Sequence, residues 1–470
     1  MKGKLRPVFP IKLSKRKLPL LFLWSLTLLV YSCGIPSLVL KSGNFYHHRL
    51  DKRFFKSEFN RFKEQLGKNG KKADGNLFLL LNGGSVARYA GFLNYSVRWW
   101  NEADRTINLY EENLLGESWK RKLVSLFYNN YANEYLPPIY ERVFLDIYQA
   151  INFFSLNKPP SANIFLNRAL ERLGYAKEVF KEEVKRKEEE LKRKEKKQKV
   201  HTSTDISPIE KAYSVLDYYK PYADFENPLA YYLKGIYYYE SGEPLKAADM
   251  FKTTYGLIKG KEPATKQVNA DWLLTQQGKD KTKHYAWIIY LNGLTFRKVE
   301  KVFLLPFIVS GTPVKVRIIL PWLISQPGAG TLYVSNGRRI KKAVRLVNMD
   351  RLVAWEFKQR FPLLLKEQLI KAAIQAVEQY LAAQKLGRLG ELGMKLYHQY
   401  TNRADLRQWY WIPKEIDVTR IEIKPGDTLS FWTQGSSKVK KIYINGERDI
   451  ILFVRAFKKG DEVLYYVGQF

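Results

Sequence analysis

The segment from residue 227 to residue 259 reads NPLAYYLKGIYYYESGEPLKAADMFKTTYGLIK. Both halves have the composition of helices, and Ser241-Gly242-Glu243-Pro244 separates them with residues typical of a turn. Gly235 and Ala247 are small enough to let two helices cross closely, and the aromatic residues around them can fill the groove between the helices. The segment therefore predicts a helical hairpin, and its Tyr231 and Tyr238 are candidates for contacts with a partner protein.

Five positions of this hairpin fall at the spacings of the tetratricopeptide repeat: Tyr231, Gly235, Tyr238, Ala247 and Phe251. Lys234 and Thr254 stand where that repeat usually has Leu and Ala, so the match is partial. Residues 76–110 and 139–175 resemble more degenerate hairpins of the same kind. Because fewer than three good repeats cannot form a free-standing solenoid, we expect these helices to pack on other parts of the chain.

The chain before this hairpin has a helical pattern. Residues 61–200 are predicted to form a helical domain whose last helix consists almost entirely of Lys, Arg and Glu. Pairs such as Glu182 with Arg186 lie one helical turn apart and support a solvated helix. A charged helix of this kind is usually a spacer, so we assign it no function. A linker at 200–207 leads into the region of the repeat-like hairpin, residues 201–284.

The second half of the chain is rich in β-branched and aromatic residues. Residues 285–415 are predicted to contain strands, a turn at Asn336-Gly337 and one long helix from Asp350 to about Leu386. Residues 416–470 alternate between apolar and polar residues and predict a separate C-terminal antiparallel β sheet or sandwich. The predicted fold class is α+β, with N-terminal helical hairpins followed by this mixed β/α region.

The N-terminus carries the features of an export signal. A run of Lys and Arg residues precedes an uncharged, mostly apolar stretch that ends at Cys33. Val30 and Ser32 fit the pattern of a bacterial lipoprotein signal, whereas Tyr31 is larger than the residue usually found at its position. The interpretation is a lipoprotein signal peptide at 1–32, a lipid on Cys33 and a tether at 33–60.

An uncleaved membrane anchor is the alternative. Residues 18–40 carry no charge and are long enough to span about 30 Å of hydrocarbon as a helix, although Pro36 and Ser37 disfavour that helix. In both cases the basic flank stays in the cytoplasm and the rest of the chain is exported. Gly34, directly after the cysteine, favours the outer membrane over the inner membrane as the destination.

The composition excludes several classes of function. The 470 residues carry a formal net charge of +33, but export argues against a nucleic acid as the partner. Cys33 is the single cysteine, which excludes a disulfide framework and any thiolate-based metal site. The five histidines lack the spacing of metal ligands, so we predict neither a metal nor a cofactor.

Short motifs spread over most of residues 33–425 carry a family resemblance: the lipid-attachment sequence at Cys33, the helical hairpin Glu141 to Leu173, Asn292-Gly293-Leu294, Leu320-Pro321-Trp322, Asp350 to Phe357, Ala404 to Trp409, and Ile412-Pro413. Together they resemble a family of uncharacterised Gram-negative lipoproteins with tetratricopeptide-like helices. Leu406 departs from the family, which usually has Thr there. The resemblance implies a lipid-anchored envelope protein, and members of the family tend to accompany the lipoprotein activators of peptidoglycan synthases.

The most motif-like polar cluster is Asp405, Arg407 and Trp409, which are candidate contacts for a ligand or a partner. The alternative is an ion pair and a buried aromatic residue that fix a junction between a helix and the sheet. No arrangement of nucleophile and base can be assembled from the sequence. We therefore predict a non-enzymatic scaffold or partner-binding module whose partner is another envelope protein.

Two other functions stay open at this point. One is a glycan-binding or glycan-processing enzyme with an unrecognised pair of carboxylates, since two such groups about 5–10 Å apart suffice for that chemistry. The other is electrostatic docking of the basic chain onto anionic lipid or wall polymer. In all cases residues 285–470 are predicted to be the rigid core, so cleavage within Lys194–Ser207 is expected to release a stable C-terminal piece.

Overall fold

The computed structural model describes residues 48–73, 76–116, 135–198, 204–280 and 282–470. The predicted signal peptide, the lipid-attachment residue Cys33 and the first part of the tether lie outside the described residues, as does part of the linker. The predicted α+β class is confirmed, because helices make up the described first half and sheets with one long helix the second half.

Polar residues cap the first turn of several helices in the first half. Asp51 begins the first helix by accepting hydrogen bonds from the backbone N–H groups of Arg53 and Phe54, each at 3.0 Å. Asn76 caps the next α-helix in the same way, and Gly91 ends it at a φ of 95°. In chain order the helices are α1 Lys52–Leu66, α2 Leu77–Ala90, α3 Leu93–Leu115, α4 Ile139–Ser155, α5 Pro159–Gln198, α6 Ser207–Tyr213, α7 Pro228–Glu240, α8 Pro244–Ile258 and α9 Thr265–Gln276.

The hairpin predicted at 227–259 forms as α7 and α8. Asn227 caps α7, and Pro228 follows at the start of the helix, where its missing N–H is not needed. Gly235 lies against the ring of Phe251, so a Cβ at that position would come within 2.8 Å of a ring carbon. The close crossing predicted from the small residue is therefore present, and α9 packs on α8 as a third helix.

The strands of the second half, in chain order, are β1 His284–Asn292, β2 Arg297–Val309, β3 Thr312–Ile324, β4 Leu332–Ser335, β5 Ile340–Lys342, β6 Val344–Asn348, β7 Glu415–Ile423, β8 Thr428–Thr433, β9 Lys440–Tyr443, β10 Ile450–Ala456 and β11 Leu464–Gln469. They form a five-stranded sheet of order β11-β10-β1-β7-β6 and a four-stranded sheet of order β5-β4-β8-β9. Strands β2 and β3 form a two-stranded sheet of their own. Within the five-stranded sheet β1 runs parallel to β10 and antiparallel to β7.

The main core lies between the five-stranded sheet and the four-stranded sheet. Its fully buried side chains come from both: Ile288 of β1 and Leu452 of β10 on one side, Val334 of β4 and Phe431 of β8 on the other. This is the aligned packing of two sheets across a shared apolar layer. Burial of each large side chain in that layer stabilises the folded state by about 1.5–3 kcal/mol relative to full exposure. The two packed sheets are therefore the main core against which other elements pack.

The prediction of a separate β domain at 416–470 is wrong. Strands β7 and β10 flank β1 on its two sides, and β8 pairs with β4. Local alternation of apolar and polar residues predicts a strand but not its partner, and here Ala286 pairs with Ile450, far away in the sequence. Residues 50–470 form one compact unit, so the boundaries predicted near 200, 284 and 415 do not separate independent domains.

The long helix predicted from Asp350 is α10, Met349–Thr401, and it bends sharply at Gly387. Gly387 has a φ of 63° and a ψ of −152°, a conformation that only glycine adopts readily. The part after the bend folds back along the part before it, since Nε2 of His398 and Oε2 of Glu378 are 2.8 Å apart. We call residues 378–401 the α10 hairpin. α10 packs on β3.

Candidate functional site

The structure places Asp405, Arg407 and Trp409 on the segment between α10 and β7. Asp405 and Arg407 form an exposed ion pair with 2.8 Å between Oδ2 and Nη2. Trp409 is only 1% exposed, and its Nε1 donates a hydrogen bond to Oγ of Ser85 on α2 at 2.7 Å. Trp409 therefore fixes this segment to the helical half and is not accessible to a partner, which corrects its assignment as a contact residue. The ion pair itself stays accessible.

A buried carboxylate, Glu141 of α4, lies directly behind this segment. Its oxygens accept hydrogen bonds from the hydroxyls of Tyr135 and Tyr140 and from the backbone N–H of Trp409 at 3.1 Å. Burial raises the pKa of Glu141 to about 7. Nearby, burial lowers the pKa of Lys298, whose Nζ donates to the carbonyl oxygen of Arg407 at 3.0 Å. The sequence signal for this cluster was weak, because Glu141 is one of two acidic residues, with Asp146, in a mostly apolar helix.

The candidate residues of the α7–α8 hairpin have partners within their own chain. The hydroxyl of Tyr231 donates to Glu226 at 2.9 Å. The ring of Tyr238 lies under Nζ of Lys234 and Nζ of Lys246, at 4.6 and 5.4 Å from the ring centre. Lys234 is itself buried and donates to Asn167 of α5 at 2.5 Å. This side of the hairpin therefore packs on α5, and Tyr231 and Tyr238 are only partly exposed.

The hidden pair of carboxylates required by the enzymatic alternative has a candidate on β7. Glu415 and Asp417 lie two residues apart, and Nδ2 of Asn292 is 3.5 Å from Oε2 of Glu415 and 3.2 Å from Oδ2 of Asp417. Burial and the neighbouring Glu415 raise the pKa of Asp417 to about 8. Arg345 binds Glu415 with 2.8 Å between Nη1 and Oε1. A buried carboxyl with a raised pKa beside a second carboxylate is an arrangement found in acid–base catalysis.

A second close pair of carboxylates joins the α7–α8 hairpin to the sheet. Glu240 and Asp449 share the ammonium group of Lys279, at 2.5 and 3.2 Å, and Nε1 of Trp287 donates to Glu240 at 2.6 Å. Burial, followed by the nearby Asp449, raises the pKa of Glu240. Asp417, Asp449 and the side chain of Glu240 are buried, whereas Glu415 is partly exposed. Both pairs receive hydrogen bonds from groups of their own chain, so their geometry suits a structural role as well as a catalytic one.

The described residues contain no group of three His, Cys, Asp or Glu side chains arranged to hold a metal ion. Within the same part of the chain, every helix is too short or too polar to cross a bilayer. The cleft found there is lined by charged side chains of α5: Arg186, Glu189, Glu190, Arg193, Lys194 and Lys197. These side chains pair along their own helix and carry no sign of a substrate site.

The two-stranded sheet presents an exposed apolar face. Along β2 the side chains of Val302, Leu304 and Ile308 point to solvent, and Leu304 and Ile308 are 65% and 67% exposed. On β3 the basic residue Arg317 is paired with Leu304, and Lys315 is paired with Pro306. We call these five residues the β2–β3 face. Residues on the opposite side of the sheet are buried, and the sheet packs on α10.

The α10 hairpin exposes a second set of apolar side chains. Leu386, Leu389, Leu392 and Leu396 follow one another around the bend, and Leu389 is 84% exposed. Lys385, Arg388 and Lys395 are exposed between them. Large exposed apolar patches on a soluble surface mark sites of contact with proteins or membranes. Neither surface was predicted from the sequence, because apolar residues follow the same spacing along a strand or a helix whether that face is covered or exposed.

Comparison with known proteins places the chain in no established family: no family model, curated protein or solved structure matches it. The lipoprotein resemblance therefore stays a prediction based on short motifs.

Proposed function

We propose that the protein is a membrane-anchored, non-enzymatic component of the cell envelope that binds another protein through the β2–β3 face. In this proposal a lipid on Cys33, or an uncleaved helix at 18–40, holds the exported chain at a membrane, with the outer membrane favoured. The bound partner is another envelope protein, and peptidoglycan assembly is the process to which the family resemblance points. The observation that carries the proposal is the exposed apolar row on β2.

The β2–β3 face has the properties of a protein-binding surface. Val302, Leu304 and Ile308 are large apolar residues at exposed positions of a strand, where polar residues are usual. The two strands run for thirteen residues each in a sheet of their own, so neither edge is paired with another described strand, although Asn402 contacts the carbonyl oxygen of Arg317 on β3. An extended segment of a partner can add to such an edge through backbone hydrogen bonds while its side chains contact the apolar row.

A crosslinking experiment tests the proposed binding surface. A photo-crosslinking amino acid replaces Leu304 in the full chain expressed in its native envelope, and a matched protein carries it at Leu245, which is 83% exposed on α8. We expect a discrete crosslinked product from position 304 and none from position 245. Ile308→Asp in the position-304 protein should abolish the product, because the carboxylate would be desolvated at the contact. Equal crosslinking from both positions would contradict the proposal.

The membrane anchor has its own test at Cys33. If Cys33 carries the lipid, mass spectrometry of the native protein should find an acylated Cys33 at the mature N-terminus, and Cys33→Ala should leave an unprocessed precursor. A mature protein that still begins at Met1 or Lys2 would replace the lipid anchor with the uncleaved helix at 18–40. The protein would then still be held at a membrane, so the binding proposal does not depend on this result.

A glycan-processing enzyme is the second candidate, and the pair Glu415 and Asp417 is the observation that favours it. In that case Asp417, with its pKa of about 8, would be the general acid and Glu415 the base or nucleophile. Asp417→Asn should then abolish release of soluble fragments from purified peptidoglycan by the full-length protein. If the unaltered protein releases no fragments, this candidate fails and the binding role stands alone.

A further inference from the structure

The α10 hairpin carries a surface that the proposed protein-binding role does not use. Residues 388–401 form a helix that returns along α10 and reaches β3, where Nδ2 of Asn402 donates to the carbonyl oxygen of Arg317 at 3.2 Å. The bend at Gly387 therefore lies about 20 Å beyond that contact, the length of fourteen helical residues. The hairpin exposes apolar side chains on both sides of this bend, which is its tip.

The exposed residues of this tip are arranged on one helical face. Leu389, Leu392 and Leu396 stand at intervals of three and four residues, the spacing of neighbours on one face of a helix. Leu386, before the bend, adds a fourth exposed apolar side chain. Lys385, Arg388 and Lys395 are exposed between the leucines, and the single acid within residues 385–396, Glu391, already pairs with Lys395 at 2.5 Å.

We propose that the tip of the α10 hairpin inserts its leucines into the surface of an anionic phospholipid bilayer. Leucines between lysines and arginines are the composition of helices that lie in a membrane interface, where the apolar side chains enter the acyl boundary and the cations meet the headgroups. The inference rests on the proposed membrane anchoring, which brings the hairpin close to a bilayer. It assigns the lipid to the tip of α10 and leaves the β2–β3 face to the partner protein.

The charges select a bilayer over a second copy of the chain. If two tips packed through Leu389, Leu392 and Leu396, each Arg388 and Lys395 would approach the same residues of the other copy, and like charges at an interface oppose association. Anionic headgroups instead neutralise these cations. Each basic residue near such a surface strengthens attachment about fivefold, so Lys385 and Arg388 together contribute about 25-fold.

A fluorescence experiment on the full-length protein tests the insertion. In a Cys33→Ser background, Leu389→Cys carries an environment-sensitive fluorophore, and a matched protein carries it at Leu245→Cys on α8. Both proteins are added to vesicles of phosphatidylcholine alone and to vesicles that also contain phosphatidylglycerol. We expect a shift to apolar emission at position 389, with quenching by nitroxide-labelled lipids, on the phosphatidylglycerol vesicles only. Position 245 should show neither change. The double substitution of Lys385→Gln and Arg388→Gln should lower the equilibrium ratio of inserted to free protein, measured at position 389, about 25-fold.

Each other outcome overturns the inference. An unchanged probe at position 389 on phosphatidylglycerol vesicles shows that the tip does not insert. A shift that appears without vesicles and grows with protein concentration assigns the tip to a second copy. A shift of equal size on both kinds of vesicle, unaffected by the two Gln substitutions, removes the role of the basic residues. Because the vesicles contain no protein, these results are independent of the crosslinking result at Leu304.

Discussion

Arg172 of α5 shows how single residues hold the helical half together. Its guanidinium group contacts Asp146 at 2.9 Å, Glu111 at 2.8 Å and Asp104 at 3.1 Å, so it joins α5 to α3 and α4. All four side chains are buried. Buried charges are costly unless each has a partner, and here the one cation compensates three anions with help from Arg142 and Arg168.

Removal of this cation should be severely destabilising. We expect Arg172→Leu to lower the free energy of unfolding by about 3–5 kcal/mol, because it leaves buried carboxylates without their counter-ion. Lys177→Leu is the matched control on the same helix, since its ion pair with Asp224 at 3.0 Å is exposed and contributes less than about 1 kcal/mol. Urea unfolding of the three proteins measures the difference. Similar losses for both variants would show that burial does not decide the strength of these pairs.

Glu141 gives the stability a pH dependence of known sign. Its pKa rises from the ordinary 4.5 to about 7 on folding, so the folded chain binds the proton more tightly than the unfolded chain. The stability contribution is present at low pH and is lost as the pH rises from about 4.5 to 7, by an amount on the order of 3 kcal/mol.

Glu141→Gln removes this titration. Between pH 5 and pH 8 the unaltered protein should therefore lose stability relative to Glu141→Gln, as followed by urea unfolding. Glu188→Gln, at an exposed position of α5, is the control, and its stability should change with pH in the same way as that of the unaltered protein. The free energies of unfolding of the unaltered protein and Glu141→Gln could instead differ by the same amount at every pH. Glu141 would then be ionised throughout, and the hydrogen bonds from Tyr135 and Trp409 would outweigh the effect of its burial.

At the scale of elements, the charged half of α5 packs beside α10. Lys187 binds Glu367 at 3.1 Å, and Glu195 binds Lys366 at 3.3 Å, so the helix predicted to be a solvated spacer is a neighbour of the long helix. The sequence pattern could not show this, because salt bridges along α5 and salt bridges to another helix require the same residue types. The exposed apolar row of β2 was not predicted for a similar reason, since alternation shows two faces of a strand without showing which of them is covered.

The α10 hairpin depends on the backbone of Gly387. At a φ of 63° and a ψ of −152°, a residue with a Cβ is strained by about 1–3 kcal/mol even though open space surrounds the position. We expect Gly387→Ala to destabilise the hairpin by that amount and to increase the distance between spin labels at positions 381 and 396. Gly393→Ala is the control in the same hairpin, where ordinary backbone angles and open space predict a gain of up to about 1 kcal/mol. Equal effects of the two substitutions would contradict a glycine-specific bend.

At the scale of the whole molecule, local features were predictable and long-range pairings were not. The turns at Ser241–Pro244 and Asn336-Gly337 and the small residue Gly235 predicted their hairpins correctly, because each depends on residues that are neighbours in sequence. The order of the sheets and the buried contact of Trp409 with Ser85 involve residues far apart in sequence. The Asp405–Arg407 pair was found from its motif, whereas Glu141 behind it becomes visible only when α4 meets the segment before β7.

These long-range contacts determine what happens when the chain is cut near residues 199–203. The sequence alone predicted release of a stable C-terminal piece, but the two sides of this cut share many buried contacts. Asn82 of α2 accepts from the backbone N–H of Tyr410 at 3.0 Å, and Glu356 of α10 accepts from the backbone N–H groups of Ile139 and Tyr140 at 2.9 and 3.0 Å. The helical half therefore covers one side of the β-rich half.

We expect that a protein cut at a protease site engineered within residues 199–203 stays in one piece. Both fragments should elute together in size-exclusion chromatography and unfold in a single transition, because separation would expose Trp409 and break the hydrogen bonds that Glu141 accepts from Trp409 and that Glu356 accepts from Ile139 and Tyr140. The uncut protein is the control for elution, and the cut protein in urea gives the positions of the separate fragments. A C-terminal fragment that elutes alone in native buffer with its strands intact would restore the original prediction and show that the β-rich half is stable without the helices.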